Sequence, residues 1–191
     1  MSLKLDPRTT ALVLIDLQQG ILGMQLAPHS AGEVVARSAG LGRRLADAGG
    51  TVVLVNVAFA SDGADRPKQE VDEPMPVPPG GLPAGWSELA PDIAAIKSAI
   101  RITKRQWGAF HGTELDLQLR RRGISTILLG GIATNFGVES TAREAWQHSY
   151  AVVIVEDICS SRDVELHQFS ITRILPRIAR VRSTAEILAA L

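Results

Sequence analysis

The 191-residue chain is 46% hydrophobic, enough to bury a core of its own, and carries 20 Lys and Arg against 20 Asp and Glu for a formal net charge of zero. No stretch interleaves basic residues with aromatics as a nucleic-acid groove requires, no apolar run approaches the ~18 residues of a membrane span, and "MSLKLDPRTT" lacks the apolar core of a signal peptide. The lone cysteine, Cys159, excludes a disulfide framework and a cysteine-based zinc site. These bounds lead to the expectation of one cytoplasmic domain over residues 1–191, with no nucleic-acid or membrane partner.

Short aliphatic runs alternate with segments of helical period, the pattern of parallel βαβ units. "ALVLID" (Ala11 to Asp16) reads as the first strand. "GEVVARSAGLGRRLADAGG" places Val34, Val35, Leu41 and Leu45 on one face and stops at a double glycine, which predicts a helix ending at about Ala48. "TVVLVNV" (Thr51 to Val57) follows as a strand buried on both faces. A Pro-rich excursion at about 62–91 then breaks the rhythm, with seven of the ten prolines between Pro67 and Pro91. It reads either as a lid or interface arm or as a surface excursion without chemical consequence.

"IRITK" (Ile100 to Lys104) is a shorter, mixed strand nearer an edge, and "TELDLQLRRRG" a helix with Leu115 and Leu119 inward and Gly123 closing it. "STILLGG" (Ser125 to Gly131) and "YAVVIVED" (Tyr150 to Asp157) are further buried strands. Between them "NFGVESTAREAWQHS" is a helix with Val138, Ala142, Ala145 and Trp146 toward the sheet. "DVELHQFSITRIL" predicts another helix, "RIARVRS" (Arg177 to Ser183) an edge strand, and "STAEILAAL" a last helix opened by Ser183 and Glu186 at capping-box spacing.

In an open parallel sheet, ligands sit beyond the carboxyl ends of the strands, where the strand order reverses. Asp16 closes the first strand, Lys104 the third, and "TNFG" follows the fourth, so a carboxylate, an ammonium and a helix start converge on one crevice. Taken singly, Asp16 equally suits a cap on the turn into "LQQG", and Lys104 a solvated edge charge. Gly137 falls in the first turn of a helix, where it costs about 1 kcal/mol relative to Ala.

"ALVLIDLQQGIL", "TKRQWGAFHGTELDLQLRRRGISTILLGGIATNFGVESTAREAW" and "VVIVEDICSS", in that order, resemble the isochorismatase-like hydrolase superfamily, also called the cysteine hydrolase family. The resemblance covers nearly the whole chain. It implies a Rossmann-like three-layer α/β/α sandwich with a six-stranded parallel sheet. In the family's amidases a triad of Asp, Lys and Cys lies at the strand ends. Asp16 and Lys104 match the first two, and Gly137 stands where the cysteine would fall, six residues after Gly131. Covalent amide hydrolysis needs a thiolate there, and glycine has none. Cys159 lies beyond the next strand and a turn and reads as a small buried thiol, while Ser140 and Thr141 fall about a helical turn too far on to replace the nucleophile.

The resemblance leaves two functions. One is a hydrolase acting on a small carboxylate or carbonyl compound, as in isochorismatases that also lack the cysteine, with Asp16 as acid/base, Lys104 orienting an anionic substrate and Gly137 leaving room. Asp16 then needs burial to stay protonated beside an ammonium. The other is a non-catalytic, small-anion-binding relic of the amidase branch. Isochorismatases carry Tyr-Ala-His where this chain has Ala133 and Asn135 at the outer places, so "IAT" is closer to the amidases. In those enzymes the Ile132–Ala133 bond would be cis, with backbone of Ile132, Ala133 and Gly137 forming an oxyanion hole.

Smaller expectations complete the site. Trp107 and Phe110 form an apolar wall, with core packing as the other reading for Phe110. Asn135 caps the helix or bonds substrate. His29 and His111 either approach the pocket or are exposed or capping, His148 and His167 are structural, and Glu139 with Arg143 forms a helical ion pair. "NVAFASDGADRP" has no histidine after the second strand, so no metal or other cofactor is expected. The family resemblance implies a homo-oligomer, dimer or tetramer, as the partner besides a small-molecule substrate.

Overall fold

The computed structural model describes residues 3–74, 78 and 80–191. Four residues of the expected Pro-rich excursion, 75–77 and 79, lie outside the described residues. Six strands form one parallel sheet in the order β3-β2-β1-β4-β5-β6: β1 (Thr10–Ile15), β2 (Thr51–Val57), β3 (Ile100–Lys104), β4 (Thr126–Ile132), β5 (Ala151–Ser160) and β6 (Arg180–Arg182). The two mixed runs, β3 and β6, are the edges, and the aliphatic runs take the middle because central strands are covered on both faces.

The period of two along β1 sorts its side chains between two layers. The helices up to the fifth strand are α1 (Gln19–Leu22), α2 (Ala31–Asp47), α3 (Pro91–Ala94), α4 (Leu115–Arg121) and α5 (Glu139–Gln147). Ala11, Val13 and Ile15 face Leu115 and Leu119 of α4 and Ala142 and Ala145 of α5. Leu12 and Leu14 face Val34, Leu41 and Leu45 of α2 (Ala31–Asp47), and Ile187 of the carboxyl-terminal helix (Thr184–Ala190) joins that cluster. The result is a three-layer α/β/α sandwich. Ser30 with Glu33 and Ser183 with Glu186 form capping boxes on α2 and the last helix, the second of them at the spacing read from sequence.

Two elements differ from expectation. The fifth strand continues to Ser160 through a register shift, pairing Leu129 with Ile154 but Gly131 with Cys159. Cys159 therefore lies inside β5 and not beyond it. The extra residues form a bulge that leaves Glu156 and Asp157 out of the ladder. The segment after it is not one helix: a short α-turn (Val164–Phe169) passes into a wider π turn (Ser170–Ile174) and a 3-10 turn (Leu175–Arg177), where Pro176 cannot continue an α-helical ladder.

The strand order reverses between β1 and β4, where the first two crossovers run one way and the later ones the other. The excursion after β2 returns along the segment that follows β1. Gln19 N–H donates to Glu88 O at 2.8 Å, Gly20 N–H to Trp86 O at 2.9 Å, and Ala90 N–H to Leu17 O at 2.9 Å. The Trp86 ring occupies the space a side chain at Gly20 would need.

Candidate active site

Asp16 is the first residue beyond β1, and its backbone is left-handed, with φ of +54°. Asp is among the few L-residues that tolerate that region. Its N–H still donates to Val55 O at 2.9 Å, so the turn begins only after the last ladder bond and carries the carboxyl over the sheet's end.

Lys104 ends β3, two strands away, yet it is the largest fully buried side chain described, 2% exposed. Its stem crosses the end of β2, and Nζ lies 2.7 Å from Asp16 Oδ2 while donating to Trp107 O at 2.6 Å. Asp16 Oδ1 is buried without a partner. Burial pushes the Asp16 carboxyl up to about 6, against the opposing pull of the Lys104 ammonium.

Gly137 completes the group. A Cβ at this position would stand 3.3 Å from both Asp16 Oδ2 and Lys104 Nζ, and 2.9 Å from Ile15 Cγ2. The ion pair has closed onto bare backbone. Gly137 belongs to a π turn (Thr134–Val138) that links β4 to α5, in which Ala133 O accepts from both Phe136 N–H and Val138 N–H. The Ile132–Ala133 bond preceding this turn is cis. Gly131 has φ of +128°, and its Cα presses on the Ile15 backbone where a Cβ could not fit.

The expected residues separate into those near this crevice and those elsewhere. Asp16, Lys104 and Gly137 meet. Ile132 is buried, and Ala133 partly so, beside the turn. Trp107 holds Lys104 by its carbonyl, and its half-exposed ring lies 4.8 Å from that of Phe136, the residue before Gly137. Phe136 was not anticipated as part of this wall. Phe110 is a correction to the wall: it is buried in the core and stacked on His148 at 5.1 Å, because Glu144 holds its N–H at 3.0 Å and turns the ring inward. Asn135 does not cap the helix: its Oδ1 accepts from Ser161 Oγ at 2.5 Å, and the turn has no side-chain cap.

His29 bonds Glu156 and Arg37, His111 is exposed, and Glu139 pairs with Arg143 at 2.8 Å as its spacing predicts. Burial and two neighbouring carboxylates push the Cys159 thiol far up, which leaves it a packed, un-ionised group. Among the described residues no three His, Cys, Asp or Glu side chains are arranged to hold a metal ion, and no helix is long and apolar enough to cross a membrane.

Sequence reading missed the supports. Thr141 Oγ donates to Gly137 O at 2.7 Å and accepts from Ala109 N–H at 3.2 Å, tying the Lys104 loop to the turn. Gln18 is wholly buried, its amide bonding Val57 N–H and both the Val57 and Trp86 carbonyls. Only the placement of Gln18 two residues after Asp16 was a usable signal.

A buried carboxyl raised to about 6, an adjacent buried ammonium and unsubstituted backbone form a crevice able to trade a proton and hold an anion, with no side chain at position 137. The isochorismatase domain model matches residues 10–186. The chain is 53% identical to the isochorismatase family protein YecD of Escherichia coli O157:H7 over 99% of this chain and 100% of that one. A ureidoacrylate amidohydrolase, RutB, of Acinetobacter baylyi is 30% identical over 91% of this chain and 80% of its own. Among solved structures, an isochorismatase family protein from Burkholderia thailandensis superposes with a TM-score of 0.92 at 43% identity, covering 100% of this chain and 99% of its own. The chain belongs to the isochorismatase family.

Proposed function

We propose that the chain is a hydrolase of a small carboxylate or carbonyl compound that works without a covalent thiol intermediate, with Asp16 as its acid/base. The observation that carries this reading is the buried Asp16–Lys104 pair closed to 2.7 Å against Gly137, with Asp16 Oδ1 left unpartnered. A buried acid of this kind, paired at Oδ2 alone, has a proton to give and no competing donor at Oδ1. Lys104, held by the Trp107 carbonyl, neutralises charge that develops on substrate. Bare N–H groups around Ile132, Ala133 and Gly137 receive an oxyanion or a carboxylate. Trp107 and Phe136 flank a planar substrate, and Asn135 lies beside the same turn.

The RutB likeness favours a carbonyl substrate, and the glycine in place of a nucleophile favours direct attack by water or protonation of an unsaturated ether. Self-association as a dimer or tetramer belongs to the same proposal. The test is a panel of vinyl ethers, amides and anhydrides assayed with wild type and Asp16→Asn. Turnover abolished by the substitution supports the reading. No turnover from wild type on any of them, with saturable carboxylate binding, makes the protein the anion-binding relic instead.

A further inference from the structure

Glu156, lifted off the ladder by the β5 bulge, receives two imidazoles. His167 Nε2 lies 3.3 Å and His29 Nε2 3.4 Å from the same Oε1. On its far side His29 Nδ1 meets the Arg37 guanidinium at 3.2 Å. Guanidinium only donates, so His29 Nδ1 carries the lone pair and Nε2 the proton. The three side chains are thus no metal cradle, since both Nε2 atoms are occupied by hydrogens directed at the carboxylate. The bond from His167 holds the Glu156 carboxyl below its usual range, ahead of the opposing effect of burial.

That carboxylate sets the orientation of the ring. With Nε2–H directed at Glu156, the His167 ring turns Nδ1 toward Thr134 Oγ, 2.8 Å away. Thr134 and His167 are both fully buried. Thr113, Thr141 and Thr172 turn their hydroxyls to carbonyls four residues back, whereas Thr134 reaches across to another element. Thr134 opens the π turn that ends at Val138 and presents Gly137 to Asp16.

We propose that His167, oriented by Glu156, is a positioning residue that holds the Thr134 hydroxyl and thereby fixes the turn presenting Gly137 backbone to Asp16 and Lys104. The inference rests on reading that crevice as the reactive site, yet it concerns geometry and is testable without turnover. At the turn's other end Thr141 holds the Gly137 carbonyl, so the segment is pinned from two different helices. A buried hydroxyl–imidazole bond cannot be replaced by solvent, so its loss is felt as a displacement of the turn.

Two measurements decide it. Long-range 15N–1H spectra of the wild type should show a proton on His167 Nε2; an Nε2 that carries none overturns the proposal. In the second, Gly137→Cys places a reporter thiol beside Lys104, the Ile15 methyl giving way, and peptide mapping separates it from buried Cys159. Adding Thr134→Val should slow its iodoacetamide alkylation at pH 7 at least fivefold, while Thr134→Ser should stay within twofold of the Gly137→Cys parent. A Thr134→Val thiol that reacts as fast as the parent, or a Thr134→Ser thiol as slow as Thr134→Val, overturns it. Because no substrate is involved, a protein inert to the whole substrate panel but with a hydroxyl-dependent thiol refutes the proposed reaction and leaves this assignment standing.

Discussion

Asp16 carries its proton in the folded protein at a pH where it would be ionised in the unfolded chain, because burial outweighs the pull of Lys104. An acid is competent below its own pKa, so we predict that kcat/KM falls as pH rises through about 6. Lys104→Met removes the cation that favours the carboxylate and should move that limb to higher pH. A pH–rate profile whose limb stays in place or moves down assigns the titration to another group. The linkage to stability has the same sign: the folded pKa lies above the 3.8 of an unperturbed aspartate, so the native state holds the extra proton between 3.8 and about 6, and stability from this group declines as pH rises across that window. Gly137→Ala tests the closeness of the pair. The methyl displaces Ile15 Cγ2, 2.9 Å away, and crowds Asp16 and Lys104 at 3.3 Å, which should lower turnover at least tenfold and destabilise by about 1–2 kcal/mol in denaturant titration. A fully active, equally stable variant is incompatible with this packing.

At the scale of elements, the β1–β4 contact is the hinge of the site. Gly131→Ala must place a methyl into the Ile15 backbone from a φ of +128°, and we expect a loss of more than about 3 kcal/mol, or no folded protein, by thermal unfolding. Ser183→Ala, which removes one half of a capping box far from the crevice, should cost only about 1 kcal/mol and leave turnover unchanged. The same contrast explains what could be read in advance. β2 and β3 begin and end where their residue patterns predict, because strand burial writes itself into aliphatic runs and turn residues. The β5 bulge was invisible, since "YAVVIVEDICSS" is apolar on both sides of Glu156 and Asp157 and a register shift leaves no compositional mark. The cap expected of Asn135 failed for a related reason: Ser161, 26 residues away in sequence, competes for its oxygen.

For the whole molecule, the Pro-rich excursion is tied back to the residues following Asp16, and Trp86 against Gly20 is its anchor. Trp86→Ala should open the segment to limited proteolysis between residues 60 and 90 at a temperature where the sheet stays folded; unchanged cleavage assigns the docking to the backbone bonds alone. The half-exposed Trp107 and Phe136 beside the crevice give self-association a local probe, since Trp107 fluorescence should change with protein concentration if partner chains cover them.

The sequence by itself determined the alternation of buried strands and helices, the central and edge strands, and which polar residues stand at strand ends, because the periodicity of burial is local and each element carries its own. It also determined that no thiol stands at position 137. Only the tertiary structure decided that Lys104 crosses β2 to reach Asp16, that Phe110 turns into the core while Phe136 faces out, and that Thr134, His167 and Glu156 share a buried line of hydrogen bonds. Those outcomes depend on strand order, register and the few ångströms between partners remote in sequence, and a buried charge or hydroxyl takes whichever partner the packing brings within reach.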